Sequence, residues 1–249
     1  MKGIILAAGY ATRLYPLTKD KSKPLLPVKG KPIIDYILGK IEGLADLDTV
    51  YVVTNNKFYN DYVKWSENSP LSKKVVIVND NTLEDETKLG AIGDIDYVLK
   101  SQGIDDDILI IAGDNLFNFD IESFVEKGYN VKPSASMGVY DIQDIKAAHL
   151  YGIVALDESG LIVEFQEKPD EPKSTLAAVG IYFLPKDIAR LTTNYLSEGN
   201  SSDQPGHFMI WLSEQGKLYG FELAGDWYDI GSIESYNKAN ESYKENNRV

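Results

Sequence analysis

Residues Lys2 to Lys31 read K-G-I-I-L-A-A-G-Y-A-T-R-L-Y-P-L-T-K-D-K-S-K-P-L-L-P-V-K-G-K, and the rest of the chain can be organised around them. They open with a short apolar run, Gly3 to Ala8, whose length is typical of a buried strand rather than a helix. The strand is predicted to end at Gly9, where the backbone can turn without a side-chain clash. Prolines disfavour a helix in the residues that follow. They are Pro16, Pro24 and Pro27.

Hydroxyl and basic side chains are frequent in the loop after this strand. They are Thr12, Arg13, Thr18, Lys21 and Lys23. A glycine turn after a buried strand, followed by Arg and Lys, is one way to hold phosphates with backbone N–H groups and fixed positive charge. Two familiar phosphate loops are excluded, because Gly30-Lys31 is followed by Pro32 and no G-x-G-x-x-G follows the strand. The alternative is an ordinary strand followed by a solvated basic loop.

The composition limits the class of protein. A chain of 249 residues that is 43% hydrophobic can form one large α/β domain or two small ones. No run of eighteen apolar residues is present, and the first residues lead straight into a strand, so we expect neither a signal peptide nor a membrane partner. The absence of cysteine excludes disulfides and thiolate chemistry and agrees with a cytoplasmic location.

The charge is distributed unevenly along the chain. The net charge of −13 disfavours nucleic acid as a partner. Residues 1–31 nevertheless hold seven basic groups and one acid, about +6, so the remainder carries about −19. A cationic loop in an acidic protein indicates a site for a small anion.

Short apolar strands alternate with helical patterns in the first half of the chain. We predict strands at 3–8, 49–54, 75–78 and 108–112, and helices beginning at 31–33 and covering 58–65 and 89–99. This alternation predicts an α/β fold with a doubly wound, mostly parallel, Rossmann-like sheet. Ligands bind such sheets at the carboxyl ends of the strands, where both the opening loop and Gly113-Asp114-Asn115 follow. We therefore expect those two segments in one crevice.

The second half has a different pattern. Strands are predicted at 134–140, 151–156, 161–167, 177–183 and 218–223, and helices at 185–196, 202–212 and 232–246. The turn Asp157-Glu158-Ser159-Gly160 makes a hairpin of two of these strands. We interpret residues 1–249 as a single domain with an antiparallel extension.

Three motifs carry a resemblance to a known family: L-A-A-G-Y-A-T-R-L-Y-P-L-T, S-K-P-L-L-P-V and G-K-P-I-I-D-Y. They resemble the signature of the bacterial sugar-1-phosphate nucleotidyltransferases, and the glucose-1-phosphate thymidylyltransferases most of all. The resemblance covers nearly the whole chain. It implies the nucleotidyltransferase fold, with a nucleotide-binding half at 1–130 and a sugar-binding half at 131–249, and it leaves a homo-oligomer open.

The resemblance also implies a reaction. A magnesium-dependent enzyme would transfer a nucleotidyl group from an NTP to a sugar 1-phosphate, giving an NDP-sugar and pyrophosphate. Glucose 1-phosphate is the favoured sugar. Thymidylyltransferases read the base with a glutamine and then a glycine, where this chain has Asn81 followed by T-L-E-D-E-T-K. Because an asparagine amide both donates to and accepts from a pyrimidine edge, we favour dTTP or UTP.

Four residues are predicted to be catalytic. Arg13 would clamp the β- and γ-phosphates, and Lys23 would offset charge at the α-phosphorus. Asp114 directly follows a buried strand, so its carboxylate is desolvated unless a cation meets it; the alternative is that it caps a turn. Magnesium takes carboxylate and phosphate oxygens. In the resembled family the aspartates of G-D-N and W-x-D-x-G chelate the metal, which implies Asp114 and Asp229 here; the neighbouring Asp226 stays open as the second ligand.

Two further groups of binding residues follow from the resemblance. Those predicted for the nucleotide are Leu6, Ala7, Ala8, Gly9, Thr12, Asn81 and Gly113. Those predicted for the sugar phosphate are Tyr151, Gly152, Glu167, Lys168, Val179 and Trp227. Lys168 would neutralise the sugar's phosphate, and Glu167 would accept hydrogen bonds from sugar hydroxyls. Outside the family context the triplet E-K-P would equally fit a solvated strand end.

Neither histidine, His149 or His207, is placed for catalysis, and both are interpreted as structural or surface residues. A phosphate monoester has a second pKa of about 6, so the nucleophile needs no general base at neutral pH. Positioning and charge neutralisation are then sufficient. Two rivals remain: a cytidylyltransferase for a non-sugar phosphate such as phosphocholine, with an aromatic cage, and a non-catalytic nucleotide-sugar-binding module. The cage would be formed by Tyr151, Tyr182 and Trp227.

Overall fold

The structure is a computed structural model that describes residues 1–68 and 74–244. The last two residues of the helix predicted at 232–246 lie outside this range. Thirteen strands are present in the described part: β1 (Lys2–Leu6), β2 (Pro27–Val28), β3 (Lys31–Pro32), β4 (Thr49–Thr54), β5 (Lys74–Asn79), β6 (Ile108–Ala112), β7 (Asn115–Phe117), β8 (Ala135–Asp141), β9 (Gly152–Leu156), β10 (Ile162–Glu167), β11 (Leu176–Leu184), β12 (Leu218–Glu222) and β13 (Trp227–Asp229).

Helices complete the secondary structure of the same residues. The α-helices are α1 (Ile33–Ile41), α2 (Tyr59–Ser66), α3 (Ala91–Ser101), α4 (Ile121–Asn130), α5 (Lys186–Ala189), α6 (Leu191–Ser197), α7 (Pro205–Ser213) and α8 (Ile233–Ser242). Single turns of 3-10 helix cover Thr12–Leu14, Lys23–Leu25, Asp85–Thr87 and Ala148–Leu150. No helix among the described residues has both the length and the apolar composition that crossing a membrane requires.

The chain forms two compact units. Unit 1 consists of Met1–Leu89, Ile111–Glu122 and the described residues from Gly225 onward, and unit 2 consists of Gly90–Ile110 and Ser123–Ala224. The division of the chain into a nucleotide-binding and a sugar-binding half at residue 130 stays a prediction.

A parallel sheet forms the centre of unit 1. β1 pairs with β4 and β4 with β5, all parallel, so that Leu6, Val53 and Val78 lie side by side. Most apolar residues of β1 and β4 are buried almost completely, as in Ile4 and Val50, whereas those of β5 are mostly half-buried. Full burial of such a side chain contributes about 1.5–3 kcal/mol. Strands covered on both faces read as continuous apolar runs, which is why this part of the sheet was predictable. The predicted mostly parallel α/β fold is confirmed.

Two small pairings in unit 1 were not predicted. β13 pairs with β7 in antiparallel register, and β2 pairs with β3. α8 begins with a capping box between Ser232 and Ser235. Near its end the Tyr243 hydroxyl donates to the Phe117 carbonyl oxygen at 3.1 Å, which ties the C-terminal segment to β7. Strands of two or three residues are too short to produce a periodic signal.

Unit 2 contains an antiparallel arrangement. β9 pairs with β10 and β8 with β11, both antiparallel, whereas β12 runs parallel to β8. The predicted hairpin turn is confirmed, since the Asp157 side chain accepts from the backbone N–H groups of Ser159 and Leu161. The Ser159 hydroxyl, together with these N–H groups, holds the pKa of the Asp157 carboxyl below its usual value.

Two local predictions were wrong, and a third is confirmed at the last of its predicted positions. The proline-containing opening loop does hold helical turns, because Pro24 is in the first turn of its 3-10 helix, where no N–H is needed. The helix predicted to begin at 31–33 begins at Ile33, because Lys31 and Pro32 pair with β2. The helix predicted at 185–196 is divided at Arg190 into α5 and α6.

Candidate functional site

A buried asparagine fixes the turn after β1. Asn55 follows β4 and is fully buried; its Nδ2 donates to the Ala8 carbonyl oxygen at 2.8 Å, and its Oδ1 accepts from Phe58 N at 3.1 Å. A buried amide keeps its place only if its polar atoms are paired, so these bonds hold the turn in one conformation. The predicted nucleotide-binding residues here are Leu6 at the end of β1, buried Ala7 and Ala8, and exposed Gly9, where an added Cβ would meet nothing within 4 Å.

Tyr10 points into the protein rather than towards solvent. It is 5% exposed, and its hydroxyl lies 3.5 Å from the Thr82 hydroxyl. Thr82 is held in turn by Asp80, whose carboxylate accepts from the Thr82 N–H at 2.7 Å and from its hydroxyl at 2.8 Å. Burial raises the pKa of the Tyr10 phenol, and the negative charges of Asp80, Asp85 and Glu84 raise it further. A neutral phenol therefore links the opening loop to the loop after β5.

The next residues expose Arg13. Ala11 has a left-handed backbone, with φ 50° and ψ 42°, and its carbonyl oxygen accepts from the Thr18 hydroxyl at 2.7 Å. The 3-10 turn that follows buries Leu14 and exposes Thr12 and Arg13. Among the described residues, none forms a hydrogen bond or ion pair with the Arg13 guanidinium. Its five donors are therefore available to an anion.

Lys23 joins two distant parts of unit 1. Its Nζ lies 2.8 Å from Asp114 Oδ2 and donates to the Ile230 carbonyl oxygen, also at 2.8 Å. The lysine side chain is 13% exposed and the Asp114 side chain 36% exposed. Lys23 thus meets the Asp114 carboxylate with a charge-assisted bond, and the role of Asp114 as a magnesium ligand stays a prediction.

Gly113 brings Asp114 close to the end of β1. The Gly113 N–H donates to the Leu6 carbonyl oxygen at 2.9 Å. An added Cβ at Gly113 would lie 2.7 Å from that oxygen and 2.9 Å from Pro24 Cγ, so no larger residue fits without a shift of the backbone. The predicted neighbourhood of the opening loop and G-D-N is thus present within unit 1.

The W-x-D-x-G motif lies beside G-D-N in unit 1. Asp229 on β13 is directly opposite Asn115 on β7, the residue after Asp114. The Trp227 indole N–H donates to Asn115 Oδ1 at 2.9 Å, which fixes the two strands at this position. An added Cβ at Gly231 would lie 3.2 Å from Asp229 Oδ2, so the glycine leaves room for the carboxylate.

Asp226 makes different contacts. Its Oδ2 accepts from Asn118 Nδ2 at 2.8 Å, its backbone N–H donates to Asn118 Oδ1 at 2.6 Å, and its carbonyl oxygen accepts from Asn118 N at 3.2 Å. Asn118 lies three residues beyond Asn115, away from Asp114 along the chain. These contacts favour Asp229 over Asp226 as the partner of Asp114.

The donor set of Asp114 and Asp229 fits a magnesium ion. The described residues contain no group of three or more His, Cys, Asp or Glu side chains that could hold a metal. Magnesium does not need such a cage, because it keeps several waters and is usually bound by one or two carboxylates together with substrate phosphates. Asp114, in the turn before β7, and Asp229, opposite Asn115 on β13, supply that number of carboxylates.

Asn81, the predicted base-reading residue, is exposed and has a left-handed backbone, with φ 66°. Its backbone N–H donates to Asn79 Oδ1 at 2.9 Å, and its Nδ2 contacts the Asn79 carbonyl oxygen at 3.3 Å. Asn79 in turn donates to Asn56 Oδ1 at 2.9 Å. The amide of Asn81 is thus partly engaged in its own turn, and its role with a base stays a prediction.

Unit 2 holds five of the six residues predicted for the sugar phosphate. Glu167 ends β10, and the carboxylate Oε1 lies 3.3 Å from Lys168 Nζ. Lys168 Nζ also donates to Gln204 Oε1 at 3.0 Å. The backbone of Lys168 is left-handed, with φ 46°, and its N–H donates to the Tyr151 carbonyl oxygen at 3.1 Å. For a residue with a Cβ this conformation costs about 1–2 kcal/mol, and such strain often occurs at functional sites.

The remaining predicted sugar residues differ in exposure. Gly152 begins β9, and an added Cβ there would lie 2.8 Å from Phe165 Cε2. Tyr151, just before it, is half-buried. Val179 is 1% exposed, so its side chain belongs to the core of unit 2. Trp227 is a residue of unit 1, where its indole binds Asn115.

Several positioning residues were missed by the sequence analysis. Asn55, Asp80 and Asn115 are buried polar residues that hold the loops of the site. Asn55 and Asp80 directly follow the strands β4 and β5, and Asn115 follows β6 after two residues, which is a signal that could have found them. Of the histidines, His149 is exposed and contacts the Lys146 carbonyl oxygen, and His207 is half-buried in α7 of unit 2.

The comparisons with known proteins agree with this geometry. A model of the nucleotidyl transferase family matches residues 2–246, and the chain belongs to that family. It is similar to the bifunctional protein GlmU of Methanocaldococcus jannaschii, with 32% identity over 231 residues that cover 93% of this chain and 51% of the relative. It is also similar to a Sulfolobus acidocaldarius protein provisionally named mannose-1-phosphate guanyltransferase, with 33% identity over 243 residues that cover 96% of this chain and 62% of the relative. The chain thus spans only about half to three-fifths of the length of these relatives.

Two solved structures have a similar fold. One is provisionally assigned as a glucose-1-phosphate thymidylyltransferase from Bacillus anthracis, in complex with sucrose. Its TM-score is 0.82 at 28% identity, covering 97% of this chain and 94% of that chain. The other, a UDP-glucose pyrophosphorylase with UDP-glucose, has a TM-score of 0.76 at 21% identity, covering 96% of this chain and 97% of that chain, and its likeness concerns the fold alone.

Proposed function

We propose that this protein is an enzyme that transfers a nucleotidyl group from an NTP to a sugar 1-phosphate, giving an NDP-sugar and pyrophosphate. The observation that carries the proposal is the contact of Lys23 Nζ with Asp114 Oδ2. Lys23 belongs to the same opening loop that exposes Arg13. Membership of the nucleotidyl transferase family supports it.

The opening loop binds the triphosphate in this proposal. Arg13 pairs with the β- and γ-phosphates, because its planar guanidinium matches two phosphate oxygens at once. Backbone N–H groups between Ala8 and Thr12 contact the remaining phosphate oxygens. Asn55 keeps the turn in the conformation that binding needs, so less ordering is required when the nucleotide arrives.

The reaction is an in-line displacement at the α-phosphorus. A phosphate oxygen of the sugar 1-phosphate forms a bond to the α-phosphorus, the bond from that phosphorus to the bridging oxygen of the β-phosphate breaks, and pyrophosphate leaves. The nucleophile is already ionised at neutral pH, so no side chain has to remove a proton. Lys23 offsets the negative charge at the α-phosphorus.

Asp114 and Asp229 hold Mg²⁺ in this proposal. The metal, when bound, neutralises phosphate charge and orients the triphosphate. The two carboxylates fix its place beside the opening loop, and Asn115 and Trp227 keep β7 and β13 in register for that purpose.

The sugar phosphate binds to unit 2 in this proposal. Lys168 pairs with its phosphate, and Glu167 accepts hydrogen bonds from sugar hydroxyls. Glucose 1-phosphate is the proposed sugar and dTTP or UTP the proposed nucleotide, the latter because of Asn81. The names of the relatives differ in base and sugar, so this preference rests on the residues of this chain. The cytoplasmic location and a homo-oligomer also remain predictions.

The proposal is tested by measuring pyrophosphate release over a matrix of the four NTPs and dTTP against several sugar 1-phosphates and phosphocholine. We expect release with dTTP or UTP and a sugar 1-phosphate, glucose 1-phosphate above all. Preference for GTP or ATP would contradict the base assignment. Turnover of CTP with phosphocholine alone would replace the proposal by the cytidylyltransferase. Tight NDP-sugar binding without release from any pair would indicate a non-catalytic binding module.

A further inference from the structure

We infer that the first turn of α7 forms part of the sugar-phosphate site and that Gly206, its second residue, is a positioning residue that acts through Glu167. The inference rests on the proposed function, because it assumes that Glu167 and Lys168 bind the sugar phosphate. It adds a segment that the sequence motifs did not indicate. All of its residues belong to unit 2.

The first observation is the closeness of Glu167 to Gly206. A Cβ added at Gly206 would lie 2.2 Å from Glu167 Oε2 and 3.1 Å from Cδ. Contacts below 3.0 Å are essentially never made by a real Cβ atom. Gly206 is itself buried, so a side chain there has no route away from the carboxylate. Any residue other than glycine therefore displaces the carboxylate of Glu167.

The second observation is that a further glycine lies near the same oxygen. A Cβ added at Gly152 would lie 3.0 Å from Glu167 Oε2. The two glycines, from β9 and α7, thus leave the space that this carboxylate occupies. The Glu167 side chain is 18% exposed, so it keeps a surface that can meet a ligand.

The third observation is that the same turn also contacts Lys168. Its Nζ donates to Gln204 Oε1 at 3.0 Å, and Gln204 is the N-cap residue of α7. Both side chains of the E-K pair therefore rest on residues 204–206. The carboxylate is also near a helix N-terminus, where the helix dipole favours negative charge.

These contacts predict how Gly206 acts. Glu167 Oε2 is the far end of a flexible side chain, so a methyl group at position 206 moves the carboxylate rather than the backbone. A carboxylate that accepts hydrogen bonds from sugar hydroxyls has to be held in place, since a misplacement of about 1 Å can cost a hundredfold in rate. The expected defect lies in the use of the sugar phosphate, with the fold and nucleotide binding preserved.

The test combines Gly206→Ala with Glu167→Ala in a double-mutant cycle. Gly206→Ala should raise the KM for the sugar phosphate about tenfold or more and change the KM for the nucleotide by less than about twofold. In the Glu167→Ala background the same substitution should add no further increase, because the oxygen that the methyl group would meet is gone. Gly39→Ala in α1, where an added Cβ meets nothing within 4 Å, is the control and should leave both KM values unchanged.

Each outcome decides one question. A wild-type protein that turns over no pair of substrates contradicts the proposed function. A wild-type enzyme that turns over, with a Gly206→Ala variant of normal sugar-phosphate KM or with additive losses in the cycle, overturns the role of Gly206. If Gly206→Ala fails to fold in both backgrounds, the glycine serves the backbone and the inference is wrong. If Gly206→Ala fails to fold only when Glu167 is present, the contact between the two residues is supported. Gln204→Ala then supplies the kinetic measurement. A higher KM for the sugar phosphate is expected in that variant, and an unchanged KM contradicts the inference.

Discussion

Lys23 Nζ lies 2.8 Å from Asp114 Oδ2, and this ion pair joins residues that are 91 positions apart in the chain. The same ammonium group also donates to the Ile230 carbonyl oxygen, 207 positions away. One lysine thus connects the opening loop, the G-D-N segment and the W-x-D-x-G segment of unit 1. Its ammonium group also pairs with the carboxylate of Asp114, which we propose as a magnesium ligand.

The first prediction follows from this competition for Asp114. Lys23→Met should lower kcat but tighten Mg²⁺ binding to the nucleotide-free protein about tenfold. Two unit charges about 4 Å apart interact by about 4 kcal/mol at an effective dielectric constant of about 20, and solvent screening at the partly exposed Asp114 reduces this energy. Calorimetric titration with MgCl₂ measures the change. Lys21→Met, an exposed lysine of the same loop, is the control, and equal or weaker Mg²⁺ binding in Lys23→Met contradicts the prediction.

The second prediction concerns Arg13. Arg13→Lys should lose about tenfold or more in kcat/KM for the nucleotide, because a point charge cannot replace a planar fork that binds two phosphate oxygens. The melting temperature should not change, since the guanidinium is exposed and makes no bond to the described residues. Steady-state kinetics and thermal unfolding measure both. Normal kinetics would remove Arg13 from the site.

The third prediction concerns the two aspartates. Asp114→Asn and Asp229→Asn should each lose about a hundredfold or more in kcat, since each removes one charge that stabilises the transition state. Because both act through one ion, the double variant should be little worse than either single one. Asp226→Asn is the matched control, as Asp226 binds Asn118 instead. Additive losses, or full activity of Asp229→Asn, would refute the shared ion.

The fourth prediction concerns Lys168. Lys168→Ala should weaken binding of the sugar phosphate far more than binding of the nucleotide, because the proposed partner of the ammonium is the sugar's phosphate. Calorimetry with each ligand measures the two affinities. Lys173→Ala, which removes a nearby lysine paired with Glu164 at 2.6 Å, should change neither. Equal losses for both ligands in Lys168→Ala would contradict the assignment.

The fifth prediction concerns the asparagine below the opening loop. Asn55→Ala should reduce the free energy of unfolding by about 1–3 kcal/mol, because the buried Ala8 carbonyl oxygen and Phe58 N–H both lose their partner. The neighbouring exposed Asn56→Ala should change it by no more than about 0.5 kcal/mol. Urea unfolding measures both. Similar values for the two variants would show that the bonds to Asn55 do not stabilise the turn.

Buried strands and their ends were the features best predicted from the sequence. A short continuous apolar run such as Thr49–Thr54 is typical of a strand in a parallel sheet that is covered on both faces. The loops that follow such strands contain the polar residues of the site. The separation of Asp229 from Asp226 was not predictable, because it depends on the pairing of β13 with β7. The contact of Gly206 with Glu167 depends on where α7 packs, and one sequence contains no signal for that.

Unit 1 consists of segments that lie on both sides of unit 2 in the sequence, and this has a consequence for folding during synthesis. The residues from Gly225 onward complete unit 1, yet they are synthesised after the whole of unit 2, which ends at Ala224. Compact units generally fold as the chain emerges. Unit 2 can therefore fold first. The contact of Lys23 with Ile230 and the pairing that brings Asp229 opposite Asn115 form only after the segment from Gly225 onward has been synthesised. The proposed catalytic residues therefore come together only after the segment that follows Ala224 has been synthesised.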